Sequence, residues 1–191
     1  MKKALKILLF IDAFFIFAAA LFNPIYAIFV VEIGGGIRTA SGAWAAFTIT
    51  MGVFMFFISK WEDHVKHKGK LLVASYALMS LGTIGLVLVK TPIHLFFVQA
   101  IFGLAEAFNM PVFDAMYSKY LDKRKLASEW GLWNSLGAIL TGIGALVGGY
   151  FASKYGFNFL FLIMFLFSIT GFILSLRFLF REKSLTNLAK S

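Results

Sequence analysis

Apolar residues run along the chain in six long blocks bounded by charged or turn-forming positions: Ile7 to Val31, Gly42 to Ile58, Leu71 to Val89, Ile93 to Tyr117, Glu129 to Phe151 and Asn158 to Phe180. A helix needs roughly 20 apolar residues to cross the hydrocarbon core of a bilayer. The pattern therefore predicts six membrane-spanning helices with short connections, and it leaves little chain for a separate water-soluble domain. Adding 86 to the block starts of the first half reaches those of the second, Ile7 to Ile93, Gly42 to Ser128 and Leu71 to Phe157. The halves thus share one three-helix plan. Because three is odd, the second copy enters the membrane from the opposite side, which makes an inverted repeat.

Composition agrees with a membrane chain: 60% of the 191 residues are hydrophobic and 14% charged, with mean hydropathy +0.85. The 24 Phe and 3 Pro exclude a disordered or collagen-like chain, and zero Cys excludes disulfides, thiolate metal sites and thiol catalysis. The net charge of +9 would point to nucleic acid in a soluble protein, but its distribution assigns it elsewhere. Fifteen basic residues fall before the first block, after the second, after the fourth and after the sixth, while Arg38, Lys90 and Lys154 fall on the other side. By the positive-inside rule both termini are cytoplasmic, and no support remains for nucleic-acid binding. Lys2 to Lys6 followed by Ala18-Ala19-Ala20 also reads as a signal peptide; Asp12 inside the apolar stretch, and its continuation to Val31, favour a retained first helix.

The opening helix of each half carries a breaker at a similar place, Asn23-Pro24 and Asn109-Met110-Pro111. Proline frees a carbonyl that must be satisfied inside a bundle or cavity. Either proline alone reads as a packing kink, whereas matched interruptions in two halves point to a transport site. Ionisable groups at membrane depth cost about 2.5–3.5 kcal/mol each, which singles out Asp12, Glu106 and Asp114. Counting about 1.5 Å per residue, Asp12 and Glu106 reach similar depth in the cytoplasmic half, while Asp114 lies nearer the helix end. At about 100° per residue Asp12, Asn23 and Tyr26 share one face of the first helix, and Gln99, Gly103 and Glu106, with Asn109 close by, share one face of the fourth. Asn134 and Thr141 extend the polar seam to the fifth. Interhelical hydrogen bonding, worth roughly 0.6 kcal/mol per pair, explains the neutral amides. It explains Glu106 less well, since no basic residue lies within a span to pair with it, and Glu106 is read as a proton site. Asp63, His64 and His67 sit among four lysines on a cytoplasmic loop, and a solvated loop is the better reading there than a metal centre. No G-x-S-x-G, H-E-x-x-H or phosphate-cradling loop occurs, so an enzyme is not expected, nor a cofactor.

Several segments resemble the major facilitator superfamily. The fifth helix follows that family's antiporter pattern with Gly131, Leu140 at the middle glycine, Gly144-Ala145 for the Gly-Pro pair, and Gly148-Gly149. The stretch from Gly149 to Phe161 is similar to the segment that follows it in the family. The loop after the second helix resembles the family's G-x-x-x-D-R-x-G-R-R signature, with Ser59 at its first glycine, Asp63 at the acid, His64 at the arginine, and Lys66, Lys68, Gly69 and Lys70 supplying the basic and glycine character. On the fourth helix Gln99 stands at the family's arginine position, followed by Gly103. The glycines also have a physical reading: Gly137, Gly144 and Gly148 share one stripe, thickened by Gly142, Ala145 and Gly149, that allows close helix approach in lipid.

These features predict an all-α membrane protein, residues 1–191 forming one domain of six transmembrane helices arranged as two inverted three-helix repeats (about 7–89 and 93–180), with both termini cytoplasmic and a tail over 181–191. The resemblance implies a secondary transporter of a small solute, half the size of the family's twelve-helix members. It is expected to work as a homodimer by alternating access in the cell membrane, with protons as possible coupling ions. Its pathway residues would be Asp12, Asn23, Tyr26, Gln99, Glu106, Asn109 and Asn134, and its gating and packing residues Asp63, Gly131, Gly144, Gly148 and Gly149. The alternatives are a non-transporting membrane scaffold or assembly subunit, and one half of a hetero-oligomeric transporter.

Overall fold

The computed structural model describes residues 3–62, 64–65 and 68–188, with side chains between Leu5 and Phe180 of that range. Asp63, Lys66 and His67 of the basic loop lie outside the described residues, as do the side chains of Lys2, Lys3, Arg181, Lys183 and Lys190. Seven α-helices follow in order: α1 (Lys3–Ala20), α2 (Tyr26–Glu32), α3 (Ile37–Glu62), α4 (Gly69–Val87), α5 (Pro92–Tyr120), α6 (Leu126–Tyr155) and α7 (Phe157–Leu188). A short 3-10 turn, Asn23–Ile25, joins α1 to α2, and the two form one span, so six helical segments are long and apolar enough to cross a membrane. No strand occurs among the described residues. The chain is an all-helical, multi-pass membrane protein.

Most helices overrun their apolar blocks, α7 by about two turns, because a helix keeps its backbone hydrogen bonds through the interfacial region whatever its side chains. The first span breaks where expected. Pro24 has no N–H to give the helical ladder, and the residue before a proline disfavours the α conformation. The turn is held by the Phe22 N–H donating to Ala19 and the Ile25 N–H donating to Phe22. The second breaker behaves differently: α5 runs unbroken through Pro111. Its neighbours Ala107, Val112 and Phe113 are fully packed between other helices, and that packing keeps the helical course despite the lost hydrogen bond.

The connections are tight. α2 ends at Glu32, and Gly34 just beyond it, at φ 78°, lets the Gly35 N–H close back on Val30 at 2.8 Å and the Gly34 N–H on Val31 at 3.0 Å. α6 and α7 are joined through Gly156 alone, at φ 80°. Side by side, α3 packs on α5, α4 on α5 and α7, and α1 on α6 and α7. Glycines set the closest crossings. A Cβ on Gly103 would run into the Phe47 carbonyl of α3, and one on Gly148 into the Leu21 carbonyl of the first span. A Cβ on Gly171 would come within 2.6 Å of the Tyr76 ring. The core is divided between two aromatic clusters. One surrounds Leu8, Tyr76, Phe113 and Tyr117 near the start of α1; the other surrounds Phe22, Phe29, Phe157 and Phe161 toward the opposite end.

Burial is uneven among the spans. Only 11% of the apolar window of α3, and 11% of that of α6, is covered, against 56%, 50%, 44% and 33% for the first, third, fourth and sixth spans. Two of the six spans therefore leave most of their apolar surface uncovered within the chain.

Candidate functional site

Between the two aromatic clusters lies a cavity of about 380 Å³. The break in the first span forms one wall of it: with α1 ending at Ala20, the chain turns so that Phe22 and Asn23 reach the cavity beside Phe15, Ile16 and Ala19. α3 contributes Trp44, Phe47 and Met51, α5 contributes Gln99, Phe102 and Glu106, and Met79, Thr141 and Met164 close it from α4, α6 and α7. Among the described residues Glu106 is the one charged side chain of the lining, and none of them that lines the cavity is basic. The exposed rim residues Trp44 and Thr141 belong to α3 and α6, the two least covered helices, so the cavity opens on the side of the bundle that those helices bound.

The expected pathway residues fall into three groups. Asn23, Gln99 and Glu106 line the cavity. Tyr26 stands just behind: its hydroxyl donates to the Ala40 carbonyl at 3.4 Å, tying the first span to α3. Asp12 and Asn109 form the second group, away from the lining. Asp12 is 2% exposed, and its Oδ1 accepts from Asn109 Nδ2 at 3.2 Å. The Ser75 hydroxyl is shared between Asn109 Oδ1 at 3.3 Å and the Leu72 carbonyl at 2.7 Å. Nearby, the Tyr76 hydroxyl donates to the Ile11 carbonyl at 2.9 Å. One buried polar chain thus links α1, α4 and α5. Asn134, the third case, is exposed on α6 and is not part of the lining.

Asp12 lies off the cavity because it packs among Leu8, Ile11 and Tyr76, and because the broken first span does not carry a count of 100° per residue across residues 21–25. Among the described residues the sole ion pair is Lys68 with Glu62, at 2.7 Å, on the α3–α4 connection. The interior therefore holds acids without cations. Ser75 and Trp44 were not singled out from sequence. A serine in a spanning helix satisfies itself on a carbonyl of the preceding turn, so it carries little signal, and a tryptophan near a helix end reads as an interfacial anchor.

The glycines of α6 divide between two faces. Gly144 and Gly148 press against Ala20 and Leu21, and Gly137 lies against Ile16, whereas a Cβ on Gly131, Gly142 or Gly149 would meet nothing within 4 Å. Only the first set packs within the chain.

The polar chain gives a stability prediction. Asn109→Leu removes the hydrogen-bond donor of a buried carboxyl and should cost about 1–3 kcal/mol. Asp12→Leu with Asn109→Leu should recover most of that loss, a non-additivity readable from denaturation in detergent. Strictly additive losses would mean that the two side chains do not depend on each other.

Residues 8–190 match the family model of the Major Facilitator Superfamily. A search of curated proteins finds no match.

Proposed function

The chain belongs to the Major Facilitator Superfamily, and from that membership we propose that it is a half-size secondary transporter of a small solute, a homodimer that works by alternating access in the cell membrane, with Glu106 carrying a coupling proton. The observation that carries this reading is the one-sided cavity. A carboxylate and two amides at membrane depth, opening between the two barest helices, would meet lipid in a single copy, and intramembrane polar groups belong in a bundle interior or a water-filled cavity. A second copy across a two-fold axis along the membrane normal supplies the opposite wall.

The bare faces suit such a partner. Ser41, Ala45, Thr48, Gly52 and Ser59 on α3, and Gly131, Ser135, Ala138, Gly142 and Gly149 on α6, form rows of small residues with spacings that fit a coiled-coil seam. Each row lies about 80° around its helix from the cavity-lining residues Met51 and Thr141, so the rows flank the opening. Small residues let helices approach closely in lipid, where van der Waals packing drives association. The inverted-repeat plan draws support from the corresponding spans, which begin about 88 residues apart, Leu5 with Pro92, Ile37 with Leu126 and Gly69 with Phe157. It draws support from the packing as well: exchanging the first three spans with the last three turns the α3–α5 contact into that of α6 with α1, and α4–α5 into α7–α1.

Cysteines test the arrangement. Ser118→Cys should label from the cytoplasmic side and Gly36→Cys from outside; the reverse would overturn the topology. A chain carrying Gly52→Cys and Gly142→Cys should cross-link to dimers in membranes, with neither single variant doing so. Transport by a protein that remains monomeric would reject the homodimer.

A further inference from the structure

We propose that the cavity binds a hydrophobic organic cation. This rests on the reading of the cavity as the transport site and adds the class of its solute. Three chemistries compete for such a site, and its lining separates them. An anion or a zwitterion needs a basic partner for its negative group, and among the described residues no Lys, Arg or His lines the cavity. A sugar presents hydroxyls around its whole perimeter, each costly to leave unpaired when dry, whereas among the described residues the lining offers only Asn23, Gln99, Glu106 and Thr141 as polar side chains, with the Trp44 indole N–H as one further donor. The remaining wall is aromatic, aliphatic and thioether. A cation with an apolar body matches both parts: its charge faces Glu106 and its body lies against Trp44, Phe47 and Phe102.

The aromatic geometry suits this solute. Trp44 and Phe47 stand 5.2 Å apart between ring centroids, inclined by 40°, on the same helix turn at the rim. Ring faces attract cations, more strongly once water is excluded. Met51, Met79 and Met164 add unbranched, polarizable side chains that adapt to differing shapes, so shape discrimination should be weak and charge discrimination strong. Glu106 has no ion-pair partner among the described residues, so a bound cation gives that carboxylate the counter-charge which its surroundings lack.

The probes are tetraphenylphosphonium, tetraphenylborate of nearly the same shape and opposite charge, and neutral triphenylphosphine oxide. Binding is measured by equilibrium dialysis against the protein in nanodiscs, with empty nanodiscs subtracted. Tetraphenylphosphonium should bind at least about tenfold tighter than either of the others. Glu106→Gln, shown to be folded by circular dichroism and gel filtration, should erase that preference while leaving the neutral probe unchanged. Trp44→Leu, an exposed rim position on a different helix from Glu106, should weaken the cation by about three- to thirtyfold and keeps the test decisive if Glu106→Gln does not fold. Equal binding of the three probes, or a preference that survives both substitutions, would overturn the proposal. Uptake by liposomes separates it from the transport reading. Cation binding without flux leaves the solute class standing and removes transport; flux of an uncharged or anionic solute without cation binding does the reverse.

Discussion

Glu106→Gln is expected to reduce concentrative uptake in liposomes to the level of protein-free controls, while leaving the fold as stable as the wild type or more stable. Both halves of this result follow from one position. Among the described residues Glu106 is the only charged group of the cavity, and the amide keeps its size and hydrogen-bonding reach while removing the charge and the exchangeable acid proton. Whatever the site does with charge, whether holding a cation or passing a proton, ends with the substitution. The same change removes an acid that costs about 2.5–3.5 kcal/mol at membrane depth, so stability in detergent should stay or rise, by at most about that free energy, and the thermal transition should not fall. The pairing of the two outcomes is the test. A non-transporting scaffold predicts the stability gain with no activity to lose, and a purely structural carboxyl predicts a loss of stability. Uptake that persists in a well-folded Glu106→Gln protein would remove Glu106 from the mechanism altogether.

The parts of the molecule that the sequence made legible are those decided within one helix. Apolar length sets the six spans, and the chemistry of Asn23-Pro24 sets the break that shapes the cavity wall. What depends on neighbours was harder to read. Asn109-Met110-Pro111 has the same composition of breakers, yet α5 continues through it, because flanking helices hold Val112 and Phe113 in place. Gln99 and Glu106 occupy one continuous stretch of helix, and the face count carried them to the same cavity; Asp12 and Asn23 stand on either side of a break, and the count did not carry across it. Thr141 reached the lining while Asn134, seven residues earlier on the same helix, stayed outside, since the cavity spans only the middle of α6. Glycine periodicity identified a packing helix but not the partner of each face. Gly148 faces the first span and Gly131 faces outward, a distinction that resides in the position of α1 and not in α6 itself.

That distinction leads to the second large effect. Gly148→Ala should destabilise the protein by about 1–3 kcal/mol, whereas Gly131→Ala on the same helix should be neutral or stabilising by up to about 1 kcal/mol. Alanine is the better helix former, so propensity alone favours both changes, and any loss at position 148 must come from contact between helices. The added methyl would overlap the backbone carbonyl of Leu21, which is part of the turn between α1 and α2 and has no rotamer through which to yield. Relief therefore requires the first span and α6 to separate. Separation would in turn disturb the neighbouring crossing at Gly144, where a Cβ would lie 2.6 Å from that of Ala20. It would also move Asn23, two residues beyond Leu21 and part of the cavity wall, so a folded Gly148→Ala protein should bind solute more weakly as well as melt earlier. Gly131 meets no atom of its own chain that a methyl would touch, and alanine keeps its place in the outer row small, as Ala138 does, so its substitution serves as the control for helix propensity. Melting curves of the two variants in the same detergent decide the matter: equal stability would mean that α6 does not rest on the first span at Leu21, and the cavity wall built on that contact would have to be redrawn.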